Sequence, residues 1–255
     1  MSAGLENGAE IAHDLLSTTT EKNDIVNFVF PNAVLRDPET CLARGIFAQT
    51  NEQVEGYNNT VLDRIDGESK RYFAVDSLKD VSKPAHTTAL LDFLARQQTP
   101  RGWPQLPPRC LHIKTNAVYC VLSDSSRSRH AGKNVVVTEL GNDVITVKAL
   151  RVPPALGDEE DILISRMDFL PALSSGHTLL RRQFPLVPVY STTFHDCGGV
   201  DLIRNLIGVD LTRRGFTSFT QDQLYTVLSA VKRRENVMLR LHAGESASVL
   251  LPANG

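Results

Sequence analysis

No G-x-x-x-x-G-K-[ST] loop occurs anywhere in the 255 residues. The only Gly-Lys pair is Gly132-Lys133, where the first glycine of such a loop would fall at Arg127 and Asn134 stands in place of the hydroxyl residue. A chain without that loop has no ready cradle of backbone amides for a nucleotide phosphate. Cysteine is sparse: Cys41, Cys110, Cys120 and Cys197 lie far apart, with no C-x-x-C pair. A disulfide scaffold is excluded at this size, and reduced thiols point to an intracellular compartment. Long apolar runs are missing too. The longest weakly charged stretch, Phe184 to Phe194, is short and carries Pro185 and Pro188, which excludes a membrane helix. The N-terminus holds Glu6, Glu10 and Asp14 and no basic segment, so no signal peptide is readable.

What is present is an ordinary globular composition, 42% hydrophobic and 22% charged, with a net charge of −2. It excludes disorder as the main theme and supplies enough apolar side chain for a large core. The small net charge hides a split. Residues 1–95 sum to −7, residues 96–133 to +6 and residues 134–255 to −1. The middle segment, with Arg96, Arg101, Arg109, Lys114, Arg127, Arg129 and Lys133 against Asp124 alone, is able to attract phosphate or to be a solvated loop.

Along the chain, residues 1–23 are polar and read as a disordered leader. Asn23 or Asp24 is placed to cap a short helix that ends at Pro31. The run from Gly45 to Ala48 predicts a buried strand. Val54, Tyr57, Asn58, Val61, Leu62 and Ile65 recur at helical spacing behind Thr50 and Asn51, and Asp66-Gly67 stops that helix. Thr88 to Leu94 suggests a further short helix, before a Pro/Gly-rich stretch around Trp103. Leu111 to Leu122, Asn134 to Leu140, Val144 to Leu150 and Asp161 to Met167 are short β-branched runs, with Gly141-Asn142-Asp143 as a hairpin signal. They predict a small antiparallel barrel. Leu206 to Leu211 and Asn236 to Leu241 read as strands flanking a helix over 219–231.

Other chemistry is thin. Cys110, His112 and Cys120, with His195 or Cys197, lack the spacing of a structural zinc site, and no metal is expected. His195-Asp196-Cys197 reads as a polar turn rather than a catalytic dyad. Three basic clusters, Arg181-Arg182, Arg213-Arg214 and Lys232 to Arg234, admit two readings: contact with nucleic-acid phosphates or, for the last, cations complementing the dipole at a helix C-terminus.

Several segments, in order, resemble a known family. The runs DIVNFVFP from Asp24, IFAQTNEQV from Ile46 and NNTVLDRI from Asn58 are similar to the fourth motif of Pif-type DNA helicases of superfamily 1, including those encoded by Helitron transposons. The likeness continues through RYFAVDS from Arg71, PPRCLHIK from Pro107, VVVTELG from Val135, RRQFPL from Arg181 and QLYTVLS from Gln223. It implies the C-terminal half of such an enzyme. The fold class is then α/β: a second RecA-like domain in two parts, 24–80 and 183–245, around a linker and inserted SH3-like β barrel over 81–182, with a tail at 246–255.

The departures matter as much. The fifth motif reads TFHDCGGVDL from Thr193, with Asp196 where the family carries lysine, and the sixth reads QDQLYTVLSAV from Gln221, with Ala230 where the family carries the arginine that reaches the nucleotide. Gly199, Gln223 and Ala230 thus mark a degenerate ATP cleft. The resemblance implies a truncated, degenerate helicase half that has no catalytic residue and binds no cofactor by itself, although the family uses ATP and magnesium. It also implies weak single-stranded DNA binding through Thr50, Asn51, Lys114, Arg127, Arg129, Lys133 and Thr193, and a nuclear location. A separate helicase N-terminal half or another protein is the alternative partner, and no membrane is involved.

Overall fold

The computed structural model describes residues 17–79, 106–122, 132–150, 161–172, 178–194, 205–212, 227–228, 231 and 233–244. In chain order the elements are β1 (Ser17–Thr19), α1 (Lys22–Val29), α2 (Pro38–Leu42), β2 (Arg44–Ala48), α3 (Asn51–Arg64), β3 (Ser69–Phe73), β4 (Val75–Leu78), β5 (Cys110–Lys114), β6 (Val118–Val121) and β7 (Asn134–Leu140). Then come β8 (Val144–Ala149), β9 (Ile162–Ser165), β10 (Met167–Phe169), β11 (Leu179–Gln183), β12 (Leu186–Pro188), β13 (Ser191–Thr193), β14 (Leu206–Asp210) and β15 (Val237–Arg240). The chain forms two compact units. One draws on Met1–Leu35, Thr40–Val61 and Tyr190–Gly255, the other on Arg36–Glu39 and Leu62–Val189.

The first unit is built on a five-stranded sheet in the order β1-β15-β14-β2-β13, with every pairing parallel. Its inner strands are the apolar runs of the sequence. Ile46, Phe47 and Ala48 of β2, and Ile207 and Val209 of β14, are buried, as strands covered on both faces must be. Gly208 lets α1 lie directly on β14: a Cβ there would stand 2.6 Å from Ile25 Cγ1. The leader reading fails from residue 17 onward, because Ser17–Thr19 pair with Met238–Arg240 as an edge strand. Three short polar residues give no periodicity, so only the partner strand reveals them. The cap of α1 is also displaced. Its N-cap is Glu21, without a side-chain bond, rather than Asn23 or Asp24, and Asp24 instead accepts a hydrogen bond from the Thr19 hydroxyl at 2.8 Å.

The second unit is antiparallel throughout its described strands. Its largest sheet has the order β12-β6-β7-β8-β9, with a bulge between Val137 and Glu139. The predicted β-branched runs supply four of these five strands. The first run splits at a turn where Asn116 adopts φ 64°, a left-handed conformation that asparagine tolerates, and its amide donates to Asp66 O at 3.0 Å. Residues 62–79 belong with this unit rather than with the parallel sheet: β3 pairs with β5, and β4 with β11. Below them Arg181 is fully buried, its guanidinium forking onto Asp76 through two bonds of 2.8 Å and donating to Pro107 O at 3.1 Å. Gln183, also fully buried, donates to Tyr72 O at 2.9 Å.

Candidate nucleic-acid interface

The C-terminal ends of β2, β13 and β14 lie side by side in the parallel sheet, with Ala48 in register with Thr193. Open α/β sheets receive ligands at this end of their strands. Here β2 turns directly into α3. Thr50 is the N-cap, and it forms a reciprocal box with Gln53. The Thr50 hydroxyl accepts the Gln53 N–H at 3.2 Å, while Gln53 Oε1 accepts the Thr50 N–H at 3.2 Å. The T-x-x-Q spacing was readable in the sequence as a capping box. The hydroxyl of Thr50 is therefore committed to the helix. Asn51, the first helical residue, is exposed.

Behind the box is a closed polar network. Gln53 Nε2 donates to Thr212 Oγ1 at 3.1 Å, and the Thr212 hydroxyl donates to Asp210 Oδ1 at 2.6 Å. Asp210 is fully buried and also accepts from Tyr57 Oη at 2.7 Å and Arg240 Nη1 at 2.9 Å. Burial and the Asp210 carboxylate push the Tyr57 phenol well above its ordinary range, so it stays a donor. Lys22 sits over the Tyr57 ring at 5.2 Å and donates to Gly56 O at 2.7 Å; burial, and then Arg240, hold its pKa down. Sequence reasoning missed this network, since its hydrogen-bonded partners are up to 183 residues apart.

Gln49, between β2 and the cap, is the exception to satisfaction. Its side-chain oxygen and nitrogen are both buried and have no hydrogen-bond partner among the described residues. Leaving such an amide unpaired costs about 1–3 kcal/mol per group.

Of the residues singled out from the sequence, Thr50, Asn51 and Thr193 come together at these strand ends, although Thr193 is buried at 7% exposure. Lys114 ends β5 and Lys133 precedes β7, both in the antiparallel unit. Arg127, Arg129, Gly199, Gln223 and Ala230 lie outside the described residues, as do His195, Cys197, Arg213, Arg214, Lys232, the 88–94 helix and all of the 219–231 helix except 227, 228 and 231. Two basic clusters are corrected. Arg181 is buried in its ion pair with Asp76 and is closed to a phosphate, whereas Arg182 is exposed. Arg233 is extended, with φ −134° and ψ 132°, so it does not complete the last turn of a helix. Among the described residues no three His, Cys, Asp or Glu side chains gather as a metal site, and no helix is long and apolar enough to cross a membrane.

A nucleotide cradle is likewise not formed by Gly132-Lys133. Gly132 has φ +75°, and Asn134 after it opens strand β7. Phosphate loops need a helix N-terminus at that point.

No family model matches the chain, and comparison with curated proteins finds no match. Solved structures do resemble it. A Pif1 helicase structure concerning the unwinding of forked double-stranded DNA by two coordinating copies aligns with TM-score 0.54 and 18% identity, over 91% of this chain and 48% of that one. The Pif1 helicase of Candida albicans gives TM-score 0.54 and 18% identity, over 89% and 55%. The Bacteroides Pif1 helicase in complex with ADP-AlF3 and single-stranded DNA gives TM-score 0.51 and 18% identity, over 92% and 52%. The chain spans about half the length of the structures it matches. At this identity the likeness concerns architecture: the fold of the chain, a parallel α/β sheet with an antiparallel unit, is similar to that of Pif1 helicases.

Proposed function

We propose that the chain is a helicase-derived, degenerate counterpart of the C-terminal half of a Pif1-type, Helitron-like enzyme, acting in the nucleus. It binds single-stranded DNA weakly and does not hydrolyse ATP by itself. In this reading the parallel-sheet unit is the second RecA-like domain, and the five-stranded antiparallel sheet corresponds to an inserted SH3-like barrel. The observation that carries the reading is the strand-end site. The exposed Asn51 opens α3 at the C-terminal end of β2, the end of a parallel sheet at which ligands bind. The Bacteroides Pif1 structure with single-stranded DNA supports the choice of ligand.

Its chemistry is positional. The α3 N-terminus offers the positive end of a dipole, and the exposed Asn51 a neutral side-chain donor. The Asp210–Arg240–Tyr57 network holds the α3 face to the sheet behind them. Lys114, Lys133, Arg127 and Arg129, from the basic sequence segment, are further candidate phosphate contacts. Contacts of this kind read the backbone and not the sequence, and they weaken steeply as salt rises.

For the hydrolysis half of the reading, two features count. No phosphate loop occurs in the 255 residues, and Ala230 replaces the sixth-motif arginine. A cationic finger contributes roughly 10³–10⁵ in rate to phosphoryl transfer. A second reading follows from the chain's spanning about half of its structural neighbours: an ATP site completed by a separate polypeptide carrying the other half. Phosphate release by the chain alone tests the first reading. The purified chain should remain at background with and without DNA, and release abolished by Thr193→Ala would overturn the proposal.

A further inference from the structure

The antiparallel unit presents a second surface of the right chemistry. Over residues 69–79 exposure alternates without a break, odd-numbered residues outward and even-numbered ones inward or half-buried. The alternation is the two-residue period of extended chain. It places Arg71, Phe73 and Val75 on one outward face, across β3 and the start of β4. Phe73 is 64% exposed and Val75 65%. The neighbours on both sides are cationic. Lys114 of β5 lies across from Ser69, and Arg182 of β11 lies across from Val75. No hydrogen bond or ion pair engages the Arg71 or Lys114 side chain among the described residues, and Arg182 reaches only Asp168, at 4.0 Å. The acidic groups at the margin are Asp168, Asp63 beside His112, and Glu68 just before β3.

We infer that this strip is a contact for single-stranded DNA, separate from the strand-end site, in which Phe73 stacks on a base while Arg71, Lys114 and Arg182 face the flanking phosphates. The inference rests on the single-stranded DNA reading above and extends it to a second surface. Stacking platforms for single strands combine an exposed aromatic ring with basic side chains in this way. A protein partner is the competing occupant; the cations on either side of Phe73 give the strip the charge complementarity of a polyanion. Phe73 is exposed, and its removal leaves the fold intact.

The test uses the full chain and a thymidine oligonucleotide carrying 5-iodouracil. Irradiation should give an adduct on Phe73, and Phe73→Ala should weaken binding by roughly 5- to 100-fold, whereas Phe73→Trp retains it. Unchanged affinity in Phe73→Ala, alongside weakened binding in Asn51→Ala, would overturn this inference and leave the strand-end site standing. Absence of binding by the unaltered chain would overturn both.

Discussion

Thr50 shows how a residue chosen for its chemistry turns out to serve the backbone first. Its hydroxyl caps α3, so Thr50→Ala should cost about 1 kcal/mol of stability, and Thr50→Ser should restore it; thermal unfolding of the two variants checks this. An effect of Thr50→Ala on DNA binding without any loss of stability would mean that the hydroxyl faces ligand and not the helix. Asp76 is a different case. Its carboxylate, 9% exposed, is the counter-charge of a fully buried guanidinium. Asp76→Ala removes the carboxylate onto which Arg181 forks and should cost about 3–5 kcal/mol, visible as a large drop in denaturant midpoint. His112 gives a pH signature. Burial holds its pKa below the ordinary 6.5; Asp63 pulls it up, and Arg71 and Lys114 push it down. The folded chain therefore binds this proton less readily than the unfolded one. The stability linked to it is present above pH 6.5 and is lost as pH falls from there through the folded value. An NMR titration should place the His112 midpoint below 6.5, and His112→Gln should flatten the stability profile in that window; a midpoint above 6.5 would contradict the burial argument.

Among elements, the contact of α1 with β14 depends on Gly208. A methyl group there would meet Ile25 Cγ1 at 2.6 Å, Ile25 Cδ1 at 2.8 Å and Val29 Cγ2 at 3.0 Å. Gly208→Ala should cost about 1–3 kcal/mol through overpacking. The urea midpoint should fall with an unchanged slope, and a stabilised variant would show that α1 is free to move off the sheet. The elements also show what could be read in advance. β2, α3, β7, β8 and β14 announce themselves through apolar runs or helical spacing, because each buries one face or both. β1 does not, since Ser-Thr-Thr carries no pattern until β15 pairs with it. The Asp76–Arg181 pair, separated by 105 residues, and the Asp210 network were hidden for the same reason: their partners are chosen by the fold and not by spacing.

At the scale of the molecule, the charge bookkeeping of the sequence is only partly informative. The basic middle segment contributes Lys114 and Lys133 to described structure, while Arg181, which looked available, is interior. Fold similarity extends over about nine-tenths of the chain, and it concerns architecture at 18% identity. Activity therefore has to be measured, and the direct measurement is fluorescence anisotropy of a labelled single strand titrated with the intact chain at about 50 mM and about 200 mM salt. Saturable binding that weakens sharply at the higher salt is the predicted result. No binding at the lower salt, or binding indifferent to salt, would contradict it.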